Sequence, residues 1–141
     1  MLDLMKRTSV DLLVDQFWKN GYLTISRKFG TYLPEPHRMG GYDVDIVARY
    51  KKDYALGITL NDEEIDNPDL KEKIRFLATR QTKFTNKRVL LFIGITNELR
   101  KKLELIINSL DENIRKNIKI QSIASDISLQ TNTRKKKAFL N

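Results

Sequence analysis

The stretch Gly40–Leu60, GGYDVDIVARYKKDYALGITL, predicts two β-strands joined by a tight polar turn. The first predicted strand, Tyr42–Tyr50, contains Asp43 and Asp45 within an otherwise apolar run. Side chains two positions apart on a strand point to the same face, so these two carboxylates are expected on one face. The second predicted strand, Tyr54–Leu60, contains no acid and no lysine. We therefore place the candidate site on the first strand, with the second strand as its hairpin partner.

The rest of the chain alternates between helical and strand patterns. Apolar residues three or four positions apart predict helices, whereas alternating or continuous apolar runs predict strands. In chain order the predicted elements are a helix capped at Thr8 or Ser9 and ending at Gly21, a strand over Tyr22–Phe29, the hairpin strands, a helix from Asn67 to about Thr82, a strand over Arg88–Ile95, a helix from Thr96 that breaks at Ser109-x-x-Glu112, and a strand over Lys119–Ile123. Phe17 and Trp18 are both expected in the core.

This order, α-β-β-β-α-β-α-β, predicts an α/β fold. Three early strands joined by short turns are expected to form a meander, and two later strands, each preceded by a helix, are expected to join it in parallel. The expected architecture is a three-layer α/β/α sandwich with a mixed central sheet over residues 1–123. The remaining segment, 124–141, is polar and aperiodic and contains a basic cluster, so it is predicted to be a mobile tail.

Composition indicates a globular protein with a polyanionic partner. With 141 residues the chain is long enough for one hydrophobic core, and its 40% apolar and 31% charged residues are ordinary for a globular domain. The 26 Lys and Arg residues against 18 Asp and Glu residues give a formal charge of +8. This excess favours nucleic acid as the partner over a membrane surface. DNA is expected in preference to RNA. A basic surface without a specific partner is the alternative.

Sequence features that would mark a membrane or exported protein are not found. No apolar run approaches the roughly 18–20 residues that a membrane span needs. The N-terminal residues MLDLMKRTS have no apolar signal region. The chain has no cysteine, which excludes disulfides and thiolate metal sites. A cytoplasmic location without a membrane partner is therefore expected.

The element order and the residues of Gly40–Leu60 together resemble the restriction-endonuclease-like superfamily, the PD-(D/E)XK nucleases. Within it the chain is similar to archaeal Holliday junction resolvases and small solitary nuclease-like proteins, over about Ser9–Ile123. The resemblance implies the restriction-endonuclease-like fold and a metal-dependent site. In that family an Asp on the second strand binds the metal, a Glu-x-Lys triplet on the third strand supplies a second ligand and a lysine, and a Glu of the first helix often completes the site.

The chemistry of phosphodiester cleavage explains these residue types. A cation offsets the charge that develops on phosphorus and lowers the pKa of a bound water. Mg²⁺ prefers a few carboxylates together with water, so clustered acids are needed. A nearby lysine then stabilises negative charge in the transition state.

Position by position, the resemblance is incomplete. Asp45 takes the place of the metal-binding Asp, and the segment GGYDVDIVAR matches the family's second strand. The expected Glu falls on Ile58 and the expected Lys on Leu60, both of which are apolar. Asp11 is the best match for the acid of the first helix. One remaining Asp is a poor Mg²⁺ site by itself, so a degenerate site is predicted.

Relocated residues are the alternative to a degenerate site. An acid from Asp62–Glu64 could turn back towards the strand, and Lys71, Lys73 or Arg75 of the next helix could replace the lysine. The candidate catalytic residues are therefore Asp45, Asp11, Lys71 and Lys73, and the candidate metal ligands are Asp45, Asp43 and Glu63. If the site is active, Mg²⁺ or Mn²⁺ is the expected ion. A structural role for these charges, in surface pairs, is the alternative.

Basic residues form a second set of candidates. Those predicted to contact nucleic acid are His37, Arg38, Lys71, Arg75, Arg80, Arg134, Lys135, Lys136 and Lys137. The helical members can equally form a solvated face balanced by Glu72, and an exposed loop histidine often has no function. The cluster Arg134–Lys137 has no acidic neighbours in sequence, so it would raise affinity for any polyanion.

Three functions are consistent with the sequence. The leading hypothesis is a nucleic-acid-binding protein on a nuclease-like scaffold with a degenerate, inactive site. The second is an active endonuclease for DNA or RNA that depends on a divalent metal and uses relocated residues. The third is a protein-interaction or dimerisation module, since the similar resolvases pair through sheet edges and helices; a homodimer is then expected.

Overall fold

The computed structural model describes residues 2–83 and 85–123, and the side chains among them from residue 5 onward. The predicted tail lies outside these residues. The elements are α1 (Leu2–Lys19), β1 (Leu23–Arg27), β2 (Ile46–Tyr50), β3 (Asp53–Thr59), α2 (Asp62–Ile65), α3 (Leu70–Ala78), β4 (Leu90–Ile95), a 3₁₀ turn (Asn97–Leu99), α4 (Arg100–Asn108), α5 (Glu112–Arg115) and β5 (Ile118–Ser122).

The described strands form a five-stranded mixed sheet in the order β1-β2-β3-β4-β5. Strand β2 pairs antiparallel with both β1 and β3, whereas the pairs β3–β4 and β4–β5 are parallel. The predicted α/β class and mixed sheet are confirmed. The strands are parallel because a helical segment connects β3 to β4, and another connects β4 to β5. Each segment brings the chain back to the end of the sheet at which the preceding strand began.

Two apolar clusters lie on opposite faces of the sheet. Phe92 of β4 and Ala55 of β3 belong to the cluster with Val10, Leu13 and Phe17 of α1. The alternate strand positions, together with α3, α4 and α5, form the larger cluster, whose strand members include Leu56, Ile58, Leu91, Ile93 and Ile95. A strand in contact with helices on both faces must be apolar at consecutive positions, which explains the continuous apolar runs of β3 and β4.

Helix α1 packs closely against Gly57 of β3. A Cβ atom at this position would lie 2.7 Å from Cε2 of Phe17 and 3.2 Å from a methyl group of Leu13. The absence of a side chain therefore lets the helix approach the sheet. This contact fixes how far the N-terminal turns of α1 extend along β3.

Several boundaries differ from the sequence prediction. Helix α1 begins at Leu2, so Thr8 and Ser9 lie inside it instead of capping it. Phe17 is fully buried but Trp18 is 66% exposed, because adjacent helix residues are about 100° apart and only one can face the sheet. The prediction of a core Trp18 was wrong.

The segment after β3 was predicted as a connection and is instead the short helix α2. Asn61 caps it: its side chain accepts from the Glu64 backbone, while the Glu64 side chain accepts from the Asn61 backbone. This reciprocal capping box stabilises a single turn that periodicity alone does not indicate. The predicted break before Glu112 is present, although the residue at the cap position is Asp111.

Replacement of Gly57 by alanine should destabilise the fold, because the added methyl group overlaps the ring of Phe17. We expect a loss of about 1–3 kcal/mol in the free energy of unfolding, measured by urea denaturation. Gly94→Ala is the matched control on the adjacent strand, since its Cβ would meet Leu13 and Ile123 at an ordinary 3.4 Å. Equal losses in the two variants would contradict the packing described here.

Candidate functional site at the carboxyl end of β3

The carboxylate of Asp45 is the most buried charged group described, with a side chain only 4% exposed. Asp45 precedes β2 and extends its ladder, because its backbone N–H donates to Gly57. Its Oδ2 atom accepts from the Thr59 backbone N–H at 2.7 Å and from the Thr59 hydroxyl at 3.0 Å. The carboxylate is therefore buried beside Thr59, the last residue of β3. A buried charge is costly unless it is hydrogen-bonded and paired with an opposite charge.

Lys6 of α1 supplies the closest cation. Its Nζ atom lies 3.2 Å from Asp45 Oδ2 and 3.2 Å from each carboxylate oxygen of Glu64. The same ammonium donates to the backbone carbonyl of Thr59 at 2.7 Å. The Lys6 side chain is only 18% exposed, so its ammonium is largely enclosed by oxygen atoms.

Glu64 reaches this point because of the helix that contains it. As the third residue of the one-turn helix α2, Glu64 accepts a hydrogen bond from the Asn61 backbone through Oε1 at 3.0 Å. The same carboxylate faces Lys6. The capping box of α2 therefore also holds the second acid of the site, a role that the sequence prediction had assigned to Glu63.

Further charges surround the contact between Lys6 and Asp45. Lys28, just after β1, places Nζ 3.7 Å from Asp45 Oδ1 and 3.8 Å from Asp43 Oδ2. Asp43 is half-exposed and also pairs with Arg38, whose Nε lies 3.2 Å from Oδ1. The strand predicted over Tyr42–Tyr50 begins only at Ile46, so Asp43 and Asp45 lie in the segment before it. Asp43 is near Asp45 through Lys28, but its carboxylate is paired with surface cations.

Lys73 of α3 lines a surface cavity of about 360 Å³ together with Asp43 and Glu64. Burial lowers the pKa of the Lys73 amine below its ordinary value of 10.5, and the nearby carboxylates of Asp45 and Glu64 offset part of this effect. Within residues 2–83 and 85–123, the Lys73 ammonium makes no hydrogen bond or ion pair, although the backbone N–H of Lys73 donates to Asp69. Of the helix lysines predicted for the site, Lys73 is therefore the one at the cavity.

The residues around Asp45, as arranged, do not fit a divalent cation. The positions for which the sequence resemblance predicted Glu and Lys are occupied by Ile58 and Leu60, which are 1% and 6% exposed and belong to the core. The ammonium of Lys6 fills the space between the two carboxylates. Across residues 2–83 and 85–123, no group of three or more His, Cys, Asp or Glu side chains is suited to hold a metal ion.

The other catalytic and metal candidates lie apart from this contact set. Asp11 forms an ion pair with Arg27 on the same side of the sheet as α1. Glu63 is exposed, and Lys71 is half-buried on α3. Neighbouring helix residues point in directions about 100° apart, so the turn that directs Glu64 inward directs Glu63 outward.

Of the basic residues predicted to contact nucleic acid, those that the structure describes are exposed or half-buried. His37 is exposed in the loop before β2. Arg75 pairs with Glu72 on the same helix, while the guanidinium of Arg80 stacks 3.7 Å over the ring of Phe76. The four basic residues predicted in the tail lie outside the part of the chain that the structure describes.

Lys6 and Lys28 were not found from sequence. Lys6 lies before the predicted start of the first helix, so no periodic pattern placed it on a face. The segment MLDLMKR contains no glycine or proline and is rich in helix-forming residues. This composition was the available signal that the first helix starts earlier.

Comparisons with models of protein families, with curated proteins and with solved structures find no match to this chain. Within the described residues, no helix is both long enough and apolar enough to cross a membrane.

Removal of the Lys6 ammonium should destabilise the protein, because it leaves the buried Asp45 carboxylate short of a partner. We expect Lys6→Met to lower the free energy of unfolding by about 2–4 kcal/mol. The double variant Lys6→Met/Asp45→Asn should lose less than the sum of the two single variants.

Urea denaturation measures these losses, with Lys19→Met as the matched control. Lys19 is on the same helix and pairs with Asp15, but both side chains are more than half exposed. That variant should change stability by less than about 0.5 kcal/mol. A Lys6→Met loss no larger than that of Lys19→Met would contradict the pairing.

Lys73→Met should stabilise the protein at neutral pH. Because burial lowers the Lys73 pKa in the folded state, the protonated amine lowers the free energy of unfolding at neutral pH. This loss of stability is fully present below the folded-state pKa of Lys73. It disappears as the pH rises towards 10.5, where the amine of the unfolded chain also loses its proton. The stability difference between variant and wild type should therefore shrink between neutral pH and about pH 10.5. Denaturation curves at several pH values measure it; a difference that grows with pH would contradict it.

Proposed function

We propose that this chain is a nucleic-acid-binding protein built on a three-layer, restriction-endonuclease-like scaffold whose catalytic site is inactive. The observation that carries the proposal is the burial of Ile58 and Leu60 at the two positions where a nuclease of this type has its second acid and its lysine. Neither side chain can ligate a cation or stabilise charge on a phosphate, and both are part of the apolar core.

The pairing of Asp45 supports the same proposal. Every strong partner of its carboxylate is internal: an ammonium of Lys6, the backbone and hydroxyl of Thr59, and Lys28. Activation of a water by a metal ion needs a carboxylate that is free to bind the metal. An internally neutralised Asp45 stabilises the fold instead.

Charge and surface chemistry support nucleic acid as the partner. The net charge of +8 attracts polyanions. Cationic side chains also lie near the site, on the loop before β2 and on α3. Arg38 flanks the cavity that contains Lys73. Arg80, just after α3, stacks on the ring of Phe76 within that helix. The loop before β2 also has Tyr32, which is 96% exposed and can stack on an unpaired base.

An active Mg²⁺- or Mn²⁺-dependent nuclease is the second candidate function. It is favoured by one observation, the contact of Asp45 and Glu64 with the same ammonium nitrogen of Lys6. If Lys6 moved, these two acids would face a common point near Lys73. The relocated residues would then be Glu64 and Lys73.

A dimerisation module is a third possibility that concerns one edge of the sheet. Strand β1 is at the end of the strand order and exposes Leu23 and Ile25, which are 59% and 39% accessible. Edge strands with apolar side chains can pair with another strand. Light scattering of the purified protein distinguishes a monomer from a homodimer.

Binding to nucleic acid should weaken as salt increases. Fluorescence anisotropy with branched, duplex and single-stranded DNA and RNA, between about 50 and 200 mM salt, measures the affinity and its salt slope. Lys71→Ala should weaken binding for all sequences and reduce the slope by about 1 if the lysine contacts a phosphate.

Lys52→Ala is the control for this measurement. Lys52 is an exposed lysine in the turn between β2 and β3, at the opposite end of these strands from Asp45. Its removal changes the net charge equally but should leave the affinity nearly unchanged. If the wild-type protein binds none of these nucleic acids, the proposed function is wrong.

A cleavage assay separates the first candidate from the second. The wild-type protein, incubated with the same nucleic acids and Mg²⁺ or Mn²⁺, should produce no metal-dependent cleavage. Asp45→Ala is the control against a contaminating nuclease. Metal-dependent cleavage by the wild-type protein that is lost in Asp45→Ala would establish the active nuclease instead.

A further inference from the structure

The surroundings of the Lys6 ammonium are those of a cation site. Four oxygen atoms lie within 3.2 Å of Nζ: the Thr59 carbonyl, Oδ2 of Asp45 and both carboxylate oxygens of Glu64. An ammonium has only three N–H groups, so it cannot give each oxygen a separate hydrogen bond. Two carboxylates and a backbone carbonyl around one point are instead the ligand types that hard divalent cations prefer.

Lys6 is the cation that the two carboxylates of the site share. Asp45 and Glu64 together contribute two negative charges, and Lys6 contacts both. Lys28 lies 3.7 Å from the remaining oxygen of Asp45 but also pairs with Asp43. The ammonium of Lys6 is therefore the positive charge that a bound cation would replace.

Helix α1 holds Lys6 in this position. The same helix is anchored to the sheet by Val10, Leu13 and Phe17, all fully buried. The ammonium therefore does not diffuse away from the carboxylates, and an ion from solution must displace it. A tethered group competes at a high effective concentration.

We infer that the Lys6 ammonium takes the place of a divalent cation between Asp45, Glu64 and the Thr59 carbonyl, and that it keeps this oxygen site closed to metal ions. The oxygen atoms then form a cation site that the chain itself fills. Removal of the ammonium opens it to a divalent cation. This inference concerns ion binding, so it can fail independently of nucleic-acid binding.

The main test compares Mn²⁺ and Ca²⁺ binding to wild type and to Lys6→Met, by isothermal titration calorimetry in metal-free buffer. Mg²⁺ is a less suitable probe. Its bonds to oxygen are about 2.0–2.1 Å long, so the oxygen atoms would have to move towards the ion by about 1 Å, which is more than Ca²⁺ requires. Lys6→Met keeps the length of the side chain without its charge. We expect its affinity for Mn²⁺ to exceed that of wild type by at least about tenfold, because the ion no longer competes with a tethered cation.

Three further variants define the site. Lys6→Arg keeps a positive charge and should bind as weakly as wild type. Lys6→Met/Asp45→Asn removes one carboxylate and should lose the gained affinity. Lys19→Met, which removes a lysine elsewhere on α1, should also behave as wild type. Equal Mn²⁺ affinity of wild type and Lys6→Met would overturn the inference, as would retained affinity in the double variant.

A second measurement covers the possibility that Lys6→Met does not fold without a cation. Circular dichroism and the thermal midpoint are then recorded with increasing Mn²⁺ or Ca²⁺. A ligand that binds only the folded state stabilises it, so the ion should restore the folded signal and raise the midpoint of Lys6→Met more than that of wild type. If saturating ion neither restores the fold nor raises the midpoint of Lys6→Met selectively, the inference is wrong.

Discussion

The burial of the Asp45 carboxylate is the constraint on which the rest of the structure depends. A charged group that is 3% exposed is costly unless hydrogen bonds and an opposite charge compensate for its lost hydration. Thr59 supplies the hydrogen bonds from β3, and Lys6 supplies the charge from α1. The N-terminal turns of α1 must therefore pass the end of β3, and the close approach at Gly57 makes this possible. One buried acid thus links the helix on one face of the sheet to the hairpin.

The carboxyl end of β3 and the residue after it contribute to the apolar core. Ile58 and Leu60 contribute apolar area to the cluster that includes α3 and α4. Charged side chains there would face burial without a partner, unless a bound cation offset their charge. Glu64 and Lys73 approach the same region from helices that follow the strand. The site thus has acids and amines in close contact, and they neutralise one another.

Local patterns predicted the strands well and the site only in part. The continuous apolar run of β4 can be read from neighbouring residues. Asp43 and Asp45 lie before β2, outside the strand predicted for them. The start of α1, the one-turn helix α2 and the exposure of Trp18 depend on how each helix packs. The choice between Glu63 and Glu64 follows from the rotation of a single helical turn, which no periodic pattern determines.

The sequence by itself determined the α/β class, the mixed sheet and the lack of charged side chains at the carboxyl end of β3, because each follows from residue type and short-range spacing. Only the tertiary structure decided which cation meets Asp45. Lys6 and Asp45 are 39 positions apart, and Lys6 lies in a turn that was not predicted to be helical. Their contact requires α1 to pack across the sheet, and packing between distant segments is set by the whole core.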